Sequence, residues 1–252
     1  MEIAKLTDVG KRRQVNQDQV GVFYDKTGQP MLILCDGMGG HNAGDVAAEM
    51  ALYQLGHAFE QTGFSSSHQA KGWLQAEIEA CNQRIYEKSQ LFQDLQGMGT
   101  TIVVLVIIDD FALAGHVGDS RLYLITPTDI EQKTKDHSYV QELVDAEMIT
   151  PEEADHHPQK NIITRSLGSQ DPVQVDLVRF YVNADDVFLL CSDGLTDMLT
   201  DQDIYQTIVT SPDLKTAVNK LVDQANAAGG RDNISVVLAR REGGGRVWIP
   251  DK

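Results

Sequence analysis

Apolar residues along this chain gather in short, nearly continuous runs separated by polar turns. Such runs read as strands buried in a core, because four to eight consecutive apolar residues bounded by turn chemistry are too short for a helix of ordinary length. They predict strands over 2–7, 18–25, 31–36, 100–108, 111–117, 121–125, 173–182, 186–191 and 233–240. The turn Lys26-Thr27-Gly28-Gln29-Pro30 makes a hairpin of the second and third. Four stretches carry a helical period instead. Val46, Ala47, Met50, Ala51, Leu55 and Phe59 define a helix over 44–59, and Trp73, Leu74, Ile78, Cys81 and Ile85 define one over 69–91. Two more are expected over 200–209, opened by Thr200, and over 213–227. Strands follow strands and helices follow helices, with few βαβ alternations, so packed antiparallel sheets with helices outside are expected. The pattern breaks at 137–170, a polar stretch punctuated by Pro151 and Pro158, which reads as an insertion over the main body.

The runs share a second feature: several begin or end on an aspartate. MLILC leads into Asp36, followed by Gly37, Gly39 and Gly40. VFLLCS leads into Asp193-Gly194, and ALAGHVG into Asp119. Asp232 precedes ISVVLA, and Asp18 precedes VGVFY. In an antiparallel sheet the end of one strand neighbours the start of the next, so these carboxylates can meet on one rim. The plainer alternative is five unrelated strand-ending turns. If they do converge, they repel one another and need cations, and hard oxygen ligands suit Mg²⁺ or Mn²⁺.

Length and charge narrow the field. With 252 residues the chain can bury one large core, and no Pro/Ser/Gly-rich linker divides it. A net charge of −16 argues against nucleic acid and anionic membranes as partners. No apolar run approaches transmembrane length, and the N-terminus has no signal-peptide pattern. Cys35, Cys81 and Cys191 match no zinc spacing; an odd number without a disulfide framework suits a reducing cytoplasm. The final EGGGRVWIPDK reads as a flexible tail.

Seven motifs stand in order along the chain: Arg13-x-x-Asn16-Gln17-Asp18, Asp36-Gly37-Met38-Gly39-Gly40-His41, Gly97-Met98-Gly99-Thr100-Thr101, His116-Val117-Gly118-Asp119-Ser120-Arg121, Asp136-His137, Ser192-Asp193-Gly194 and Gly229-Gly230-Arg231-Asp232-Asn233. In this set the chain resembles the metal-dependent protein phosphatases of the PPM, or type 2C, family in its bacterial form. The resemblance implies an α+β fold, a four-layer αββα sandwich of two antiparallel sheets flanked by pairs of antiparallel helices. It implies one catalytic domain over 1–241 with 137–170 as a flap, and a tail over 242–252. It further implies two Mn²⁺ or Mg²⁺ ions with a third, weaker site. Asp36 would bridge the two metals, the Gly37 carbonyl would bind one, Asp193 and Asp232 would complete that site, and Asp18 would hold bound water. Asp119 with Asp193 is similar to the third-metal ligands of bacterial relatives.

The chemistry expected of such a site is hydrolysis of phosphoserine or phosphothreonine by activated water, reversing a cognate Ser/Thr kinase. Arg13 is the candidate phosphate clamp, since a guanidinium matches phosphate oxygens bidentately; Arg12 beside it is the competing plain surface charge. His41 is placed by its motif as general acid. Arg165 either contacts substrate or ties the flap down, and the second is favoured. Asp136-His137 is similar to the dyad of a different metal phosphohydrolase class, but the neighbouring strands disagree with that class's helical scaffold. Gln17 stands where some relatives carry Glu, which lowers the charge near the second metal. A cytoplasmic, monomeric phosphatase is therefore expected. The other readings are an enzyme devoted to one regulatory partner and a metal-stabilised docking module without turnover.

Overall fold

A computed structural model describes residues 1–64, 66–108 and 110–241; the side chains at positions 40–42 and 67 lie outside that description. The strands are β1 (Glu2–Asp8), β2 (Asp18–Tyr24), β3 (Pro30–Met38), β4 (Gly99–Thr100), β5 (Ile102–Ile108), β6 (Phe111–Val117), β7 (Arg121–Ile125), β8 (Ile130–Gln132), β9 (Asp176–Tyr181), β10 (Val187–Cys191) and β11 (Ile234–Arg240). The helices are α1 (Gly40–Glu60), α2 (Ser67–Leu91), α3 (Tyr139–Asp145), α4 (Pro151–Asp155), α5 (Asp193–Thr196), α6 (Asp201–Val209) and α7 (Leu214–Ala227). Two sheets form. One has the order β1-β11-β10-β7-β8, the other β2-β3-β5-β6-β9, with β4 joined to β3. The paired strands in both are antiparallel.

The continuous apolar runs are explained by burial on both faces. Successive strand residues point to opposite sides of a sheet. In β3, Leu32 and Leu34 face the gap between the sheets, where they join Val103, Leu105, Leu190 and Val237. Met31, Ile33 and Cys35 face the other way, into a cluster with Ala47, Leu55 and Phe59 of α1 and Leu74, Ile78 and Ile85 of α2. The second sheet repeats the arrangement. Leu189, Cys191, Val236 and Leu238 face Ile204 and Ile208 of α6 and Leu214, Val218 and Leu221 of α7. Three apolar layers between four layers of secondary structure make the αββα sandwich. Helix starts follow local capping chemistry. The Ser66 hydroxyl accepts from the Gln69 N–H, and Thr200 and Asp203 form a reciprocal capping box.

Some elements differ from the sequence expectation. The run 100–108 is interrupted at Thr101, because β4 pairs with Gly37 and Met38 before β5 takes up its own register with β3. β6 and β7 are consecutive but lie in different sheets, and Gly118-Asp119-Ser120 carries the chain across. Gly118 makes this possible: its φ is +111°, and a Cβ there would lie 2.6 Å from Thr101 Cβ. The strand expected over 173–182 is confined to β9. β8 and α5 were not expected, since elements of three and four residues leave no readable period.

Residues 137–170 carry α3 and α4 and return to the main body. The return is part of the core: Leu167 is fully buried and bridges Thr100. The proposed tail over 242–252 lies outside the described residues, as does Asp109 between β5 and β6.

Candidate metal centre

Sheet register brings the aspartates together. Asp18 opens β2 directly opposite Asp36 near the end of β3. Asp193 leaves β10 as the first residue of α5, and Asp232 stands two residues before β11. The two ends are tied where the Ser192 N–H donates to the Ser235 carbonyl (3.2 Å). Asp119 arrives on the crossover. Asp36, Gly37, Asp193 and Asp232 line one cleft of about 500 Å³, together with Arg13, Gln14, Val15, Gln17, Asn161 and Ile163.

Main-chain bonds hold the floor of this cleft in place. The Asp36 N–H donates to Thr101 Oγ1 (3.0 Å), and the Asp36 carbonyl accepts from the Thr101 N–H (2.8 Å) and from Thr100 Oγ1 (2.9 Å). Gly37 has no room for a side chain: a Cβ would lie 2.6 Å from the Gln17 carbonyl oxygen. Asn233 organises the opposite wall. Its Oδ1 accepts from the Gln17 N–H (2.8 Å), and its Nδ2 donates to the carbonyls of Val9 (2.9 Å) and Val15 (3.0 Å). The loop carrying Arg13 is thereby fastened to the start of β11.

The electrostatics call for a cation. Burial is the main cause that pushes Asp18 up to about 6 and Asp119 up to about 7. Asp36 and Asp193 are raised well above the ordinary carboxylate range by burial first, then by the other carboxylates of the rim. Asp18 Oδ2 accepts from Ser192 Oγ (2.8 Å). The Oδ1 atoms of Asp18, Asp119 and Asp193 are buried and have no hydrogen-bond partner among the described residues. Buried, mutually repelling oxygens without donors fit hard divalent ions, which supply the missing positive charge and ligation. At the lip, Arg13 Nη2 donates to Asp232 Oδ2 (2.6 Å).

The remaining motif residues are sorted by the structure. Arg121 donates through Nε and Nη2 to Asp136 Oδ2 (3.0 and 2.7 Å) and through Nη1 to Tyr123 Oη (3.0 Å). His137 accepts the Gly118 N–H at Nδ1 (3.0 Å). Its Nε2 lies 3.3 Å from Asp176 Oδ2 and 3.0 Å from Arg165 Nη1. Burial pushes His137 down to about 4, so the ring is neutral at neutral pH. Arg165 lies outside the cleft: its Nη1 donates to Asp176 Oδ1 (2.8 Å) and the Gln174 carbonyl (3.2 Å), tying the 137–170 segment to β9. His116, His137 and Asp176 are close enough to share a cation. However, the two rings stack at 13° with centroids 4.7 Å apart, so their lone pairs cannot converge, and the Arg165 guanidinium supplies the local positive charge. The side chain of His41 lies outside the described residues.

Sequence reasoning missed the supports. Ser192 and Asn233 stand beside motif aspartates and Thr101 ends a motif of its own, but none was singled out for what it holds. Asp197, which takes Lys160 of the 137–170 segment at 2.9 Å, had no sequence signal beyond lying one turn after Asp193.

A carboxylate rim at one edge of an αββα sandwich defines a class, the divalent-cation hydrolases of this fold. Residues 10–239 match the model of the protein phosphatase 2C family, and the chain belongs to that family. It is 46% identical over 240 residues to protein phosphatase PhpP of Streptococcus pneumoniae, a match that covers 94% of this chain and 96% of the relative. Among solved structures, it superposes on serine/threonine phosphatase Stp1 from Staphylococcus aureus with a TM-score of 0.93 and 40% identity, covering 96% of this chain and 95% of that one. A second, the catalytic domain of the serine/threonine protein phosphatase PstP in complex with two manganese ions, gives a TM-score of 0.83 and 35% identity, covering 95% and 97%.

Proposed function

We infer that this chain is a metal-dependent protein serine/threonine phosphatase, which hydrolyses phosphoserine and phosphothreonine on proteins. The observation that carries this reading is the set of buried, donor-less carboxylate oxygens beside a cleft with Arg13 at its lip. Asp36, Asp193, Asp232 and the Gly37 carbonyl would hold two Mn²⁺ or Mg²⁺ ions, with Asp18 acting through water and Asp119 contributing to a third site. Such ions supply an activated water and positive charge for a phosphate dianion.

The protein's own residues do the rest. Thr100 and Thr101 fix the Asp36 main chain, which sets the place from which its carboxylate would meet a metal ion. Arg13 is held over the cleft by Asp232 and exchanges that partner for two phosphate oxygens when substrate enters. The net charge of −16 would otherwise repel the phosphate, which makes a fixed guanidinium at the entrance necessary. His41 is the candidate proton donor to the departing serine or threonine oxygen. Arg165 acts on the flap: with Lys160 it fastens 137–170 at two points, to Asp176 and to Asp197.

A single catalytic domain over 1–241, acting as a monomer in the cytoplasm opposite a cognate Ser/Thr kinase, fits this reading. Among the described residues no helix is long and apolar enough to cross a membrane. The test is phosphate release from a phosphothreonine peptide with Mn²⁺, with Mg²⁺ and with chelator, with Asp193→Ala as control. Turnover that needs metal and is lost in the variant is the expected result. A folded, metal-binding protein without turnover in any metal would refute it in favour of a docking module.

A further inference from the structure

Arg13 is one of four exposed cations on the same lip. Lys11, Arg12 and Arg13 follow one another on the loop after β1, and Arg231 stands on the loop before β11. The two loops are stitched through their backbones: the Gly230 carbonyl accepts from the N–H groups of Lys11 (2.8 Å) and Arg12 (3.1 Å). The approach is close enough that a Cβ on Gly230 would lie 2.9 Å from the Lys11 nitrogen. Asn233 fastens both ends of the first loop, at Val9 and Val15. These charges therefore stand on a fixed frame.

Arg13, Gln14, Val15 and Asp232 line the cleft, and Lys11, Arg12 and Arg231 are their close neighbours in the chain. Among the described residues only Arg13 of the four has an ion pair, to Asp232. The nearby Asp8 carboxylate is engaged below, accepting from the Gly10 N–H (2.8 Å) and Asn226 Nδ2 (3.0 Å). The 137–170 segment, which reaches the cleft at Asn161 and Ile163, is different: its Lys160 and Arg165 are both paired with carboxylates. A chain of net charge −16 thus concentrates cations without carboxylate partners at the entrance to a phosphate-ester cleft.

One phosphate is already matched by Arg13 and the proposed ions, so Lys11, Arg12 and Arg231 are surplus to a singly phosphorylated target. We propose that these three residues form a subsite for a second anionic group on the substrate, a phosphate or a carboxylate two or three residues from the phosphorylated side chain. Lys11 and Arg12 sit in the turn that leads into Arg13. On an extended peptide, a second anion two or three residues away lies roughly 7–11 Å from the first, at about 3.3–3.6 Å per residue. The substrate class is then multiply phosphorylated or acid-flanked segments. A nucleic acid fits worse, because a longer polyanion would run from the lip onto the acidic remainder of the surface. The proposal rests on the phosphatase reading above.

The test compares two peptides in Mn²⁺: one with a single phosphothreonine and neutral flanks, and the same peptide with a second phosphothreonine two residues away. Acid-flanked versions, with glutamates for the second phosphate, separate the two sources of charge. Wild type is expected to favour the acidic peptides about fivefold or more in kcat/KM at low salt, mainly through KM. In the triple variant Lys11→Gln, Arg12→Gln, Arg231→Gln that ratio falls towards one. Equal losses on neutral and acidic peptides would mark a structural effect and overturn the proposal. Should the variant not fold, the wild-type ratio decides: it must shrink as salt is raised to about 0.2 M, since exposed charges are screened there. A wild-type ratio of one with intact turnover removes the subsite and leaves the phosphatase; no turnover on the neutral peptide removes the phosphatase. Stronger inhibition by a short RNA than by an unphosphorylated acidic peptide of equal charge would also overturn the assignment.

Discussion

Replacing Asp18 by Asn should make the metal-free protein more stable while weakening its response to metal. Asp18 is 2% exposed, and burial moves its carboxyl from 3.8 to about 6. The sign follows from proton linkage. Between about pH 4 and 6 the folded protein keeps a proton that the unfolded chain has released, so stability falls as pH rises through that window and stays low above it. A shift of roughly two pH units corresponds to about 3 kcal/mol at pH 7.5, an upper figure because the rim carboxylates share their charge. Asparagine keeps an oxygen for the Ser192 hydroxyl, removes the buried charge, and can direct its amide at the Asp36 carboxylate. For a chain of this length each kcal/mol moves the melting temperature by about 2–4 °C, so a gain of up to roughly 6–12 °C is expected in chelator at pH 7.5. That gain should vanish near pH 4. With Mn²⁺ at about 100 times its dissociation constant, wild type gains about 2.7 kcal/mol and the variant less. Calorimetry of both proteins, with chelator and with Mn²⁺ at the two pH values, makes the comparison. A variant that melts at or below wild type at pH 7.5 without metal would refute the reasoning, as would a gain that persists at pH 4.

Two further substitutions test the frame. Gly194→Ala places a Cβ onto the Asn233 carbonyl oxygen, a main-chain atom that cannot swing aside, and should cost at least about 2 kcal/mol by urea denaturation. Because the displaced segment lies between Asp193 and Asp232, phosphopeptide turnover should fall further than the folded fraction does. Asp136→Asn leaves the largely buried Arg121 guanidinium without its counter-charge and should cost about 3 kcal/mol, with Tyr123 still bonded to Nη1. An unchanged urea midpoint would show that Asp136 only decorates the crossover.

Much of this was legible in the chain itself. Apolar runs of strand length, the hairpin at Lys26–Pro30 and the four long helices follow from period and turn chemistry, which are local properties. The aspartates were legible as candidates because a carboxylate at the end of a buried run is unusual, whatever the fold. The supporting hydroxyls were not. Ser192 and Thr101 look like ordinary small polar residues until the fold brings them against Asp18 and Asp36 from 174 and 65 positions away. Short elements such as β8 and α5 were hidden for a different reason, since they exist by pairing and packing rather than by their own propensity.

The sequence by itself determined that carboxylates would end up at strand ends, that the molecule would be strongly acidic, and that seven motifs would stand in the family's order. Only the tertiary structure decided which carboxylate oxygens are left without donors, because that depends on the opposing sheet and the crossover loop together. It also decided that Arg165 pairs with Asp176 rather than lining the cleft, and that the loop before Arg231 is stitched to Lys11 and Arg12 across some 220 residues of chain. Register between distant strands sets these meetings, and register is a property of the closed sandwich rather than of any segment in it.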